Sequence, residues 1–141
     1  MNKTVEITLD FDHTISSTED RFNVRHFLED FVDTINNQSQ ETLTKFISGG
    51  ATADGFSEFT MQKREILDMF KKRFFGRRSS YISLSNLKLS FSKSLFHIHG
   101  VYEEYIEDIL SSAGSVDLSL MKVEDSYEFV QFKFYPRMRS V

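Results

Sequence analysis

Cysteine and tryptophan are absent from the 141 residues, and proline occurs once. Without cysteine there is no disulfide scaffold, thiolate metal site, cysteine nucleophile or thiol redox switch. No apolar run approaches the roughly 18 residues that span a bilayer. No basic segment followed by an apolar stretch marks the N-terminus for export. These absences set the expectation of a cytoplasmic protein with no membrane partner. What is abundant is the aromatic ring: 15 Phe and 5 Tyr, in a chain that is 40% hydrophobic, 27% charged and of net charge −4. Such a composition suits a folded domain with a sizeable core. Repeats, low-complexity tracts and linkers are missing, so residues 1–141 are expected to form a single domain.

Apolar spacing changes period along the chain. Val5, Ile7, Leu9 and Phe11 alternate with polar residues, as in one short strand. Ser16 with Glu19 has the spacing of a capping box, opening a helix to about Asn36. On it Val24, Phe27, Leu28, Phe31, Val32 and Ile35 form one stripe. A shorter helix with Leu43, Phe46 and Ile47 is predicted from Ser39 to Gly49-Gly50, then a loop from Ala51 to Phe59. Thr60 is placed to cap a third helix, with Ile66, Leu67, Phe70 and Phe74 inward and Gly76 at its end. From Tyr81 the period is two. Ile82 and Leu84 share one parity and Leu87, Leu89 and Phe91 the other, which predicts a bulge near Ser85-Asn86. A turn at Ser92–Ser94 leads into a strand from Phe96 to about Ile106, and Leu110–Ser115 is predicted as a loop. Val116–Val123 and Tyr127–Tyr135 form a hairpin, ended by Pro136. Helices followed by consecutive antiparallel strands define an α+β chain with the helices on one face of a sheet.

This order resembles the nuclear transport factor 2-like superfamily, which includes SnoaL-like polyketide cyclases and ketosteroid isomerase. The stretches that carry it are Ser17–Phe46, GFSEFTMQKREILDMFKKRFF (Gly55–Phe75) and SYEFVQFKFYP (Ser126–Pro136), within a match of about 120 of the 141 residues. The resemblance implies a cystatin-like cone: N-terminal helices in the concave face of a strongly bent antiparallel sheet. It also implies a hydrophobic pocket for a small apolar ligand, and often a homodimer through the sheet. The strand Val5–Phe11 is an addition to that plan. Enzymes, carriers and accessory subunits share this fold, so a binding or accessory protein and a proton-transferring enzyme both stay open. Where isomerase-like members can place a Tyr on the first helix, this chain offers Phe27 and Phe31. Asp54 lies in the loop that can carry a base and, with His97 and His99, is a candidate proton-transfer group, while Phe27, Phe31, Phe56 and Glu58 are the expected pocket residues.

Three further patterns carry candidate chemistry. His97 and His99, two apart on a strand, leave the same face. They can face solvent or a partner subunit, line a pocket as acid or base, or supply two imidazoles to a metal that would need a third ligand from elsewhere. Asp10-Phe11-Asp12-His13-Thr14 after an apolar strand is similar to the nucleophile motif of haloacid-dehalogenase-like phosphatases, in which the first Asp is phosphorylated and the second is acid and base. The other elements of that family, a doubly wound sheet above all, are not apparent. Lys71-Lys72-Arg73 and Arg77-Arg78 make the second half cationic. Cations at a helix C-terminus suit the helix dipole, and no nucleic-acid module accompanies them, so no nucleic-acid partner is expected. No metal or cofactor motif is complete, and none is assigned. The last strand reads as apolar on both parities: Tyr127, Phe129 and Tyr135 on one, Val130, Phe132 and Phe134 on the other. A two-sided strand implies a covered outer face, and hence a homodimer through the sheet.

Overall fold

The computed structural model describes residues 7–55, 58–75 and 80–137. Strand β1 (Leu9–Phe11) is followed by helix α1 (Thr18–Asn36), helix α2 (Gln40–Leu43) with a 3₁₀ turn at Thr44–Phe46, and strands β2 (Ile47–Asp54) and β3 (Met61–Gln62). Helix α3 (Lys63–Phe74) precedes four long strands, β4 (Tyr81–Ser92), β5 (Leu95–Ile106), β6 (Ile109–Val123) and β7 (Ser126–Pro136). The strands form one sheet in the order β1-β4-β5-β6-β7-β2-β3. The sheet is mixed, not purely antiparallel: β1 runs parallel to β4, and β2 parallel to β7. Both parallel neighbours lie outside the β4–β7 meander, whose strands pair antiparallel.

The α1 stripe is buried as expected, with Val24, Leu28 and Ile35 inaccessible to solvent. The helix starts one residue later than the Ser16/Glu19 spacing predicts. Ser17 is the cap, accepting from the Asp20 N–H at 3.2 Å. At α3 the cap is Gln62, in a reciprocal box with Glu65. Thr60 lies two residues before that cap, and its hydroxyl donates to Asp54 at 2.6 Å. Two predicted loops are strands. Ala51–Asp54 belongs to β2, where Ala51 and Ala53 are buried against the helices, and Gly49-Gly50 interrupts its pairing with β7 and does not end a helix. Leu110–Ser115 belongs to β6, because the chain reverses already at Glu107-Asp108, both with positive φ. The bulge near Ser85-Asn86 is present, with Asn86 at φ 52°.

A second bulge decides what the sheet presents outward. Leu120 pairs with Phe129, but Ser119 pairs with Gln131, so Val130 is an extra residue on β7. The parity of β7 switches there. Tyr127 and Phe129 before it, and Phe132 and Phe134 after it, all turn to the helices, and each is at most 5% exposed. The strand that reads as two-sided is one-sided, so its aromatic surplus is core and does not require a covered outer face. Phe129 and Phe132 meet across the bulge at 4.8 Å between centroids, and Phe31 from α1 sits 4.5 Å from Phe129. Phe27, Phe46 and Phe70 extend the cluster from the 3₁₀ turn to α3.

Deleting Val130 removes the extra residue and leaves Phe129, Gln131 and Phe132 in plain alternation, so both aromatic pairs stay in the core. The expected result is a retained cooperative urea transition, and Val130→Thr likewise shifts stability by no more than about 1 kcal/mol. Loss of the transition in the deletion variant would contradict the bulge.

Candidate functional site

Alternation along the outer sides of five neighbouring strands builds a polar cleft of about 520 Å³ on the sheet face away from the helices. The register aligns its side chains in two rows. In the first, Asp10 of β1 pairs with Lys88, Lys88 with His99, His99 with Asp117, and Asp117 with Lys133, beyond which Asp54 of β2 continues the row. In the second, Ser90, His97, Ser119 and Gln131 are in register, with Asp12 beside them in the cleft wall. Phe96, Ile98, Leu89 and Leu118, the alternate residues, are buried in the core.

The two histidines are held differently. His99 Nδ1 lies 2.5 Å from Asp117 Oδ1. A carboxylate accepts, so Nδ1 carries the proton and Nε2 is the ring's open nitrogen. These side chains are 63% and 43% exposed, so bulk water screens the pair. His97 Nε2 donates to the Ser92 carbonyl at 3.3 Å, which leaves Nδ1 to accept from Ser119 Oγ at 3.5 Å when the ring is neutral. Ser119 sits mid-strand beside the bulge, in register with His97 on one side and Gln131 on the other. Among the described residues no group of three His, Asp or Glu side chains could hold a metal ion.

The D-x-D-x-T segment is a structural clamp. Both the N–H and the hydroxyl of Thr14 donate to Asp12 Oδ1, while the Thr14 hydroxyl accepts from the Phe91 N–H at 2.8 Å. Asp12 N–H donates to the Leu89 carbonyl at 2.9 Å, so the turn extends the pairing of β1 with β4. The phosphatase expectation for Asp10 and Asp12 is thereby overturned. The sheet is not doubly wound, β1 is an edge strand, and Glu124-Asp125 is the β6–β7 turn.

The other sequence candidates are scattered. Phe27 and Phe31, expected in a pocket, are 8% and 3% exposed, packed ring to ring, and line neither this cleft nor a second one of about 450 Å³ beside the start of α1. Asp54 alternates outward from Ala53, bonded to Thr60, and Glu58 is exposed. Phe56, Arg77 and Arg78 lie outside the described residues. Of the cationic run, Arg73 reaches inward to Glu104, 2.6 Å away. Glu104 is 1% exposed, the one buried carboxylate among the described residues. Its signal in the sequence is its parity: it continues the inward series Phe96, Ile98, Tyr102. Beside it Tyr102 shares a hydrogen bond with Ser112 at 2.9 Å, and burial raises the Tyr102 hydroxyl above its ordinary pKa. Tyr127 is pushed up to about 12 by burial and then by the nearby Asp20 carboxylate, to which its hydroxyl donates.

Neither a family model nor a curated protein matches the sequence. Solved structures do. Aln2 from a Streptomyces species superposes with TM-score 0.74 at 10% identity, covering 85% of this chain and 92% of that one. A protein of unknown function with a cystatin-like fold from Nostoc punctiforme gives 0.70 at 10%, covering 86% and 93%. A nuclear transport factor 2-like protein of unknown function from Silicibacter pomeroyi gives 0.66 at 15%, covering 87% and 100%. The fold is nuclear transport factor 2-like. Within that fold the short strand β1 is present, as expected from the sequence, and no helix among the described residues is long and apolar enough to cross a membrane.

Asp12 yields a prediction. The Thr14 hydroxyl, then the Thr14 N–H, hold its carboxyl below the ordinary value. With the folded pKa below the unfolded one of about 3.9, the stabilisation is complete above that pH and is lost as pH falls through the folded value. Asp12→Asn is expected to weaken the acid-limb dependence of the urea midpoint relative to the unmodified chain. An unchanged acid limb in Asp12→Asn would refute the clamp.

Proposed function

We propose that this chain is a small-molecule-binding protein and that its site is the polar cleft on the outer sheet face. One observation carries the proposal. The cleft's volume falls within the roughly 300–1,000 Å³ of ligand sites, and Asp10, Lys88 and Lys133 reach into it without a hydrogen bond or ion pair to any described residue. The helix-facing side of the sheet offers Phe27 and Phe31 only as parts of a packed aromatic cluster, which favours a polar ligand outside over an apolar one inside.

The enzymatic alternative has one observation in its favour, the His99–Asp117 pair with its open Nε2. Proton transfer gains most from a site that excludes water and tunes its groups. At 63% and 43% exposure this pair has no such shelter, so binding is the better-supported role.

A homodimer through the sheet is proposed at the opposite end of the same face, where Tyr81 stacks on Tyr105 at 4.7 Å and Tyr81, Ile109 and Leu110 are 37, 70 and 38% exposed. Light scattering is expected to give twice 16.5 kDa, falling to 16.5 kDa in Tyr81→Ser/Ile109→Ser. A wild-type mass of 16.5 kDa would remove the dimer and leave the cleft unaffected.

Amide chemical-shift mapping tests the binding site. A millimolar panel of amino acids, dicarboxylates, monosaccharides and nucleosides is expected to move signals at residues 88–90, 97–99 and 117–119, and indole to leave Phe27 and Phe31 unmoved. Shifts confined to the aromatic interior would overturn the assignment.

A further inference from the structure

The cleft's lining groups divide into those already bonded within the protein and those open to a ligand. Asp12 is held by both Thr14 donors and Asp117 by His99, so two of the three lining carboxylates have protein partners. Asp10, at the β1 rim, has none among the described residues. Both lining ammonium groups, Lys88 and Lys133, are likewise without a hydrogen bond or ion pair among the described residues. Two open ammonium groups thus face one open carboxylate, while Asp12, held by neutral donors, and Asp117 keep their negative charge.

The two lysines are placed as a pair. Register puts them on opposite sides of the His99–Asp117 pair, three strand spacings apart in one row. At about 4.8 Å per strand their Cα atoms are roughly 14 Å apart. Each flexible four-carbon stem can carry its ammonium about 6 Å toward the centre. The heads can thus close on charges some 5–8 Å apart, the span between carboxylates on a four- or five-carbon chain. A monocarboxylate or phosphate satisfies one lysine and leaves the other, and a sugar satisfies neither. Ser90 and Gln131, in the second row, offer a hydroxyl and an amide alongside.

We propose that the cleft is a site for a small dicarboxylate, with one carboxylate on Lys88 and the other on Lys133, lying across the His99–Asp117 pair. This rests on the binding role proposed above and specifies its ligand class. Two-point attachment makes chain length and both lysines matter together, unlike a general attraction of anions to a surface lysine.

Calorimetric titration of the full chain at low salt, with glutarate, acetate and inorganic phosphate as probes, tests it. Glutarate is expected to bind at least about tenfold more tightly than either other anion. Lys88→Ala and Lys133→Ala should each bring glutarate down to the level of acetate, with the urea midpoint unchanged, because neither ammonium group bonds within the fold. Equal binding of glutarate and acetate, equal binding of glutarate and phosphate, or full glutarate affinity in either variant would overturn the two-point site. Should the polar panel move the cleft's signals while glutarate does not, the dicarboxylate is wrong and the binding role stands. Should nothing move them, both fall.

Discussion

Phe31 lies where the layers of the molecule meet. From α1 its ring reaches Phe46 of the 3₁₀ turn at 5.7 Å, Phe70 of α3 at 5.9 Å, and Phe129 and Phe132 of β7 at 4.5 and 6.2 Å. Tilted and edge-on contacts of this kind add about 0.5–1.5 kcal/mol per pair to the burial of the rings themselves. The arrangement depends on the bulge at Val130. In an unbulged strand of the same sequence Phe129 and Phe132, three residues apart, would point to opposite faces of the sheet, and Phe31 would have only one of them.

What the bulge does for the inside also shapes the outside. Once Phe132 and Phe134 turn inward, Gln131 and Lys133 turn outward, into register with Ser119 and Asp117. The polar rows exist because every strand from β1 to β7 that borders the cleft gives its apolar alternates to the helices. Core and cleft are thus two faces of one register, and a slip of one residue in any of these strands would lose both. The fold neighbours share the architecture at 10 to 15% identity. At that distance a fold carries no activity with it, and the site must be argued from its own side chains.

Much of the architecture was legible in the chain. The α1 stripe, the Ser85-Asn86 bulge, the hairpin ending at Pro136 and the order of helices and strands follow from hydrophobic period. Three features were not. Ser16, Ser17 and Thr60 are all acceptable caps by composition, and only the folded backbone shows that Ser17 and Gln62 take the role. Gly49-Gly50 has the composition of a helix stop, yet sits in β2 opposite the Val130 region, where the backbone departs from regular pairing. The Val130 bulge itself leaves no turn-forming residue as a marker, so apolar residues in two parities read as two faces. The site was legible only in halves. H-x-H and D-x-D were visible as separate motifs, but Lys88, Asp117 and Lys133 join them only through the pairing of strands up to 123 residues apart in sequence, from Asp10 to Lys133.

The central claim is that aromatic side chains fill the space between the sheet and the helices, which leaves binding to the outer face. A crystal structure under xenon pressure tests it most directly, since xenon occupies dry apolar cavities of ligand size. The expected map has no xenon among Phe27, Phe31, Phe46, Phe70, Phe129 and Phe132. A well-occupied xenon atom within that cluster would show an internal pocket and contradict the account.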